Sequence, residues 1–242
     1  VSEMTYDEIR SAFDRAGTAR QILEDSWTFR LEQTRKRETW KPMLGGPICL
    51  ARLSPLSSYR QTDAADLKAL YGDYASFIYP DWGGGSRSFN LDGLIVYGSM
   101  SEGRATAMIQ IYRNGTIDAM RYGGTPWQDK LVIPSQSVAS FFRESFLKFS
   151  AFMRKEEIAG PYIFNTAILD TAGHEFGVGS RFLHFDRYFS DRNDLVLPSI
   201  FLDFEELGSE GVVRNSLDVL WQGFGLTHCN CYSDDGSWSV NT

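Results

Sequence analysis

The sequence predicts an α+β fold: a mixed or mainly antiparallel sheet centred on residues 89–122, covered by helices, with an N-terminal helical arm. Three observations carry that prediction. Asn114-Gly115 lies between two runs of Ile, Met and Tyr, the strongest short-range hairpin signal, because a type I′ turn needs positive φ at both central positions. Tyr6, Ile9, Phe13 and Ala16, then Ile22, Leu23, Trp27 and Leu31, recur at helical spacing. Val138, Phe141, Phe142, Phe146, Phe149, Phe152 and Met153 form an aromatic stripe on a third helical run. Residues 1–40 read as the arm and 41–242 as a single α+β domain.

The elements follow in order. Thr5 with Glu8 is a capping-box pattern that opens the arm. Gly17-Thr18 ends or kinks its first helix before the second run begins. Pro42 and Gly45-Gly46 break the chain ahead of a buried strand over 48–56, ICLARLSPL, demoted at its end by Pro55. A short helix over 63–74 turns Leu67, Leu70 and Tyr71 inward, and 79–88, YPDWGGGSRS, reads as a loop. Two-residue closure at Asn114-Gly115 then pairs Arg113 with Thr116, Tyr112 with Ile117, Ile111 with Asp118 and Ile109 with Met120. That register puts Ile109, Ile111 and Met120 on one face and Met108, Tyr112 and Ile117 on the other, so both faces need cover.

After a short strand over 131–133, Ser135 or Ser137 caps the aromatic helix, which runs to about Lys155 and covers the sheet. Residues 161–169 and 195–204 are strands, the second interrupted at Pro198. Between them, 170–194 is too long for an ordinary connection, which predicts a strand over 180–185 or a functional loop. A helix over 211–223 and a polar tail close the chain.

The totals narrow the function classes. A chain of 242 residues, 43% hydrophobic and 14% aromatic, is long enough to bury a full core. A net charge of −7 argues against a dedicated duplex-DNA binder. Cys49, Cys229 and Cys231 are an odd number with no disulfide framework, and no stretch approaches the ~20 apolar residues of a membrane span. These features predict a cytoplasmic protein with no membrane partner, and a start at Val rather than Met predicts a piece of something longer.

Several segments together resemble one family. FRLEQTRKRETW, LSPLSSYR, FNLDGLIVY, IYRNGTIDAM, DRNDLVLPSIFLDF and DVLWQGFGLTHCNCYSDDGSW, in that order and spacing, resemble the C-terminal region of bacterial proteins that carry an N-terminal Schlafen/AlbA-like domain. The resemblance runs over about residues 9–238. In those proteins the Schlafen/AlbA-like domain precedes this region and is the part linked to nucleic-acid binding or RNA cleavage. Its acidic, Lys-punctuated segment, Ala-rich helix and GG turn are not found here, so no nuclease residue is carried over. The resemblance implies a non-catalytic accessory module for assembly, or for partner or ligand recognition, serving an attached or separate Schlafen/AlbA-like effector. A homo-oligomer and an antiphage context belong to the same expectation.

Two further readings stay open. Metal-assisted hydrolysis needs convergent carboxylates, and Asp92, Asp118 and Glu144 are the candidates for a divergent nuclease or phosphodiesterase, with Mg or Mn as the only cofactor any reading brings. Asp118 sits among apolar neighbours in the expected register, where a carboxylate needs a partner. Asp92 before Gly93 is an ordinary turn former. A sensor of a nucleotide or phage product would draw on Trp82, Arg87, His174 and Arg187, beside the Gly-rich 79–88 stretch and the 170–194 loop. That Gly-rich stretch matches neither phosphate-loop pattern. Arg35, Lys36 and Arg37 are the nucleic-acid candidates, against a solvated helix end favoured by the dipole. His174-Glu175 and His184-Phe185-Asp186 lack metal-ligand spacing, the cysteines read as buried or idle thiols, and no metal site is assigned.

Overall fold

The computed structural model describes residues 6–61, 64–98, 100–178, 187–233 and 235–239, with the side chains of 6–15 outside that description. The first half of the chain forms α1 (Tyr6–Arg35), β1 (Ile48–Pro55), α2 (Leu67–Gly72), β2 (Ser86–Phe89), β3 (Gly93–Tyr97), β4 (Met100–Ser101), β5 (Arg104–Ala105), β6 (Ala107–Tyr112) and β7 (Ile117–Tyr122). There follow β8 (Thr125–Trp127), β9 (Lys130–Pro134), α3 (Ser135–Lys155), β10 (Tyr162–Leu169), β11 (Glu175–Gly177), β12 (Leu195–Val196), β13 (Ile200–Leu202) and α4 (Glu210–Gln222). The main sheet runs β12-β10-β1-β7-β6-β3-β2, every neighbour antiparallel, with β13 also on β10. The fold is therefore α+β with a mainly antiparallel sheet, as the patterning predicts. Small sheets form from β8, β9 and β11, and from β4 and β5.

The central hairpin differs from the expected one by a residue. Ile111 pairs with Ile117, Gln110 with Asp118, Ile109 with Ala119 and Met108 with Met120. Tyr112 N donates to Thr116 O at 2.8 Å and Gly115 N to Tyr112 O at 3.1 Å, closing a three-residue loop. Only Gly115, at φ 85°, occupies the left-handed region. The turn is thus a three-residue loop with a left-handed glycine, not type I′. Asn114 spends its side chain on Thr116 N and Ser58 O, at 3.1 and 3.2 Å, which holds it in this geometry. The one-residue slip exchanges faces: Ile117 joins Ile109 and Ile111, while Met120 and Asp118 join Met108 and Tyr112.

Both faces are covered. The Ile109 face packs on α3, whose Phe141, Phe142, Phe146, Phe149 and Phe152 are all buried with Leu53, Leu94, Val96 and Phe164. Each such ring contributes roughly 1.5–3 kcal/mol by leaving water. Val213, Leu217, Leu220 and Trp221 of α4 join the same core. The opposite face is closed by α1, which lays Trp27 and Leu31 on Ile48, Leu50, Met108 and Met120.

Local expectations shift in identifiable ways. The arm is one helix of 30 residues that runs through Gly17 without a break; glycine inside a helix costs only about 1 kcal/mol, and Leu23, Trp27 and Leu31 are buried on its C-terminal side. Thr5, Asp63 and the 180–185 strand lie outside the described residues. The short helix begins after Asp66, whose carboxylate accepts from Lys68 N and Ala69 N at 3.0 Å each. Pro134, with no side-chain cap, precedes α3 in place of a serine cap. The 79–88 stretch holds Ser86–Ser88 of β2, and 170–194 contains β11, both missed because neither is long enough to show a period. Pro198 does split the last strand, into β12 and β13.

Candidate functional site

Register assembles four strands into one polar row. Gln110 of β6 faces Asp118 of β7, Asp118 faces Arg52 of β1, and Arg52 faces Asn165 of β10. All four are at most 4% exposed. The adjacent row on the same face, Met108, Met120, Leu50 and Ala167, is apolar. Arg30 of α1 completes the constellation from above, 88 positions upstream of Asp118.

Asp118 is fully engaged. Its Oδ2 accepts from Arg30 Nε at 3.0 Å, Arg52 Nη2 at 2.8 Å and the Tyr112 hydroxyl at 3.0 Å. Its Oδ1 accepts from Arg30 Nη2 at 3.2 Å. Three donors therefore converge on Oδ2 and one on Oδ1, so the carboxylate is gripped mainly through one oxygen. Arg52 also donates from Nη1 to Ser26 O and Oγ, both at 3.2 Å, and lies over the Trp27 and Tyr112 rings at 5.6 and 5.5 Å. Asn90 Nδ2 donates to Gln110 Oε1 at 3.1 Å, and Asn165 Nδ2 to Ser199 Oγ at 2.7 Å, extending the row at both ends.

The electrostatics follow from this geometry. Burial pushes the Asp118 carboxyl up, but the Arg30 and Arg52 guanidiniums outweigh it and hold the group below its ordinary value. Burial pulls the Arg30 guanidinium down, and Asp118 reverses that and raises it. Burial first, and the Asp118 charge second, push the Tyr112 phenol up to about 12. Chemically the row is an anchor: a buried ion pair fixes α1 on the sheet, and nothing in it is poised to transfer a proton.

The expected carboxylate trio does not converge. Asp92 is exposed in the β2–β3 turn, where its carbonyl accepts from Arg113 N at 2.9 Å. Glu144 sits on α3 against the other face, its carboxyl pushed up by burial and then by Asp81. Among the described residues no group of three His, Cys, Asp or Glu side chains could hold a metal ion.

The remaining candidates scatter. Trp82 is buried and stacks on Tyr79 at 5.1 Å, on the α3 side. His174 is half-buried in a turn whose N–H donates to Thr171 O, and Arg187 is exposed. Trp82 lies toward the β3 side of the sheet, while Asp170 and Asp194 lie by β10 and β12, so the described parts of the two stretches are not seen to line one cleft. Arg35 Nε pairs with Asp194 at 2.6 Å, and Arg37 pairs with Asp170 and donates to Leu44 O and Gly46 O at 3.2 and 2.7 Å. Lys36 alone of that trio is exposed without such a bond among the described residues. Trp221 and the three cysteines are buried, the Cys49 thiol pushed up to about 12 by burial.

Two surface features complete the picture. A depression of about 580 Å³ beside β12 is lined by Phe189, Arg192, Leu195 and Val219. At the opposite edge, Arg87 of β2 is held between the Tyr71 and Tyr74 rings, 4.5 and 3.9 Å from their centroids, and Phe89 stacks on Tyr71 at 4.8 Å.

Sequence reasoning singled out Asp118 and missed its partners Arg30, Arg52 and Tyr112 and the row that Gln110 and Asn165 extend. The signal was present in part: Arg52 is the one charge in ICLARLSPL, and a charge inside a strand buried along its whole length requires a counter-ion. Arg30 carried no comparable mark, since only the tertiary position of α1 turns it inward. No protein-family model, curated protein or solved structure matches this chain.

Proposed function

We propose that this chain is a non-catalytic accessory module that recognises a partner and thereby regulates a Schlafen/AlbA-like effector in the bacterial cytoplasm, with antiphage defence as the setting. The family part rests on the ordered segments from FRLEQTRKRETW to the HCNCY tail. The observation that carries the recognition part is the contrast in polar satisfaction. Asp118, the carboxylate placed at the centre of the sheet, is bonded by Arg30, Arg52 and Tyr112, while the open strand β2 presents Arg87 without an acidic partner among the described residues, next to exposed Phe89. Groups aimed at an absent partner lie at an edge, and the buried charges are engaged in holding α1.

The test uses the whole chain, because α1 seals one face of the sheet. Light scattering and titration against a purified Schlafen/AlbA-like domain should show a complex or self-assembly. A chain that stays monomeric at high concentration and binds no effector domain overturns the reading. Incubation with single-stranded RNA and DNA in Mg²⁺ or Mn²⁺ should leave both intact; metal-dependent cleavage abolished by D118N in a folded protein would establish the nuclease alternative instead.

A further inference from the structure

The two edges of the main sheet differ in how they are closed. At one, β12 and β13 are two and three residues long and separated by Pro198, which has no N–H to offer. At the other, β2 is an uninterrupted four residues, Ser86–Phe89, with no strand on its outer side among the described residues. Asn90 N donates to Gly93 O at 2.9 Å, which sets the ladder's parity. Hydrogen-bonded pairs alternate in an antiparallel ladder, so Ser88 and Ser86 bond to Ile95 and Tyr97, and the N–H and C=O groups of Arg87 and Phe89 point outward.

The side chains of those two residues lie on the α2 side, opposite Val96 and Leu94. The Arg87 guanidinium carbon lies over the Tyr71 and Tyr74 rings, 4.5 and 3.9 Å from their centroids, its Nε is buried with no hydrogen-bond partner, and no carboxylate pairs with it among the described residues. With Nε buried, the two terminal nitrogens are the donors that an incoming carboxylate would meet, a pair whose fork geometry a planar carboxylate matches. Phe89 is 45% exposed and Leu91, two residues on, 89%.

We propose that β2 is the docking edge for an extended peptide that adds to the main sheet as a further strand, sets a carboxylate on Arg87, and packs an apolar residue two positions away on Phe89. This rests on the recognition reading above and names its site. Strand addition supplies main-chain bonds through Arg87 and Phe89, and alternate side chains supply selectivity. The unpaired guanidinium selects the acidic residue by charge, and the two-residue spacing follows from strand period.

The probe is a positional-scanning library of immobilised octapeptides, incubated with the whole chain and with the variants R87E and R87M, each checked for an unchanged thermal melt. Pools with Asp or Glu two positions from Ile, Leu or Phe should retain the wild-type chain, with affinity at least tenfold lower for R87M and for Lys in the acidic position. R87E should prefer the Lys peptides. Re-made hits carrying one backbone N-methyl group on the paired side should lose at least tenfold. No pool retained above the R87E background, retention indifferent to Arg87, or indifference to N-methylation overturns the site, as does a β2-mediated dimer that excludes the peptides. Titration of the effector domain is run alongside: binding that survives R87E and R87M, with no peptide retained, removes this site and leaves the accessory reading standing, whereas no effector binding or self-assembly by wild type removes that reading.

Discussion

The two faces of the main sheet are sealed by different physics. Toward α3 and α4 the contact is a continuous hydrocarbon core with Phe146 and Phe149 at its centre. Toward α1 a smaller apolar patch of Trp27, Leu31, Met108 and Met120 lies beside a buried row of charge and amide. Apolar burial has no direction, so the first face fixes that α3 packs but tolerates adjustment in how. A bidentate ion pair has direction, so Arg30 and Asp118 set the position of α1 on the second face. The difference places the most conspicuous carboxylate in the sequence within the contact that holds α1.

Substitutions separate the two mechanisms, beginning with the largest effects. Phe146→Ala should cost about 3–5 kcal/mol through lost transfer energy and a cavity. Asp118→Ala should cost a similar ~3–5 kcal/mol by leaving Arg30 and Arg52 buried without a counter-charge. Urea unfolding distinguishes their origins. Converting Arg30, Arg52 and Asp118 together to apolar residues of like volume should recover most of the second loss, while no charge change repairs the first. If the triple variant is as unstable as Asp118→Ala, the row does more than balance its own charges.

The pH dependence is next. The folded Asp118 carboxyl lies below the ordinary 3.8, so the unfolded chain takes up the proton more readily. Its contribution is therefore fully present above that value and is lost as pH falls through it toward the folded pKa. Wild type and D118N should converge in stability as acid is added below about pH 4, and a gap that is constant with pH would contradict the ion pair. A smaller effect is expected at the hairpin. Gly115→Ala should cost about 1 kcal/mol or somewhat more, because φ is 85° there and a Cβ would stand 3.2 Å from Ala64 and Ile158. At the exposed end of the scale, Glu24→Gln removes the Arg20 pair on α1 and should change stability by about 0.5 kcal/mol or less.

How much the sequence revealed follows the same division. The hydrocarbon face was legible: a helix with phenylalanines at helical spacing reads as core ahead of an exposed docking face, and strands such as residues 48–56 and 161–169 declared themselves by composition. The exact register was not, because Asn114-Gly115 suits both a two-residue and a three-residue loop, and the contacts that hold the longer one come from distant residues, Asn114 to Ser58 O and Ala64 N to Arg113 O. That one-residue difference set Asp118 opposite Gln110, on the face that α1 covers. The candidate site was half legible: Asp118 was recognisable as a charge needing a partner, but the partner came from a helix that looked like a separate arm. Edge strand β2 hid inside YPDWGGGSRS because four residues show no period.

Amide hydrogen exchange on wild type and D118N tests the central claim, that Asp118 anchors α1 and does no chemistry, most directly. Local openings are read segment by segment. Protection should fall selectively in α1 around residues 20–34 while amides of α3 around 141–153 keep theirs. Equal loss in both helices, or undiminished protection of α1, would contradict the account.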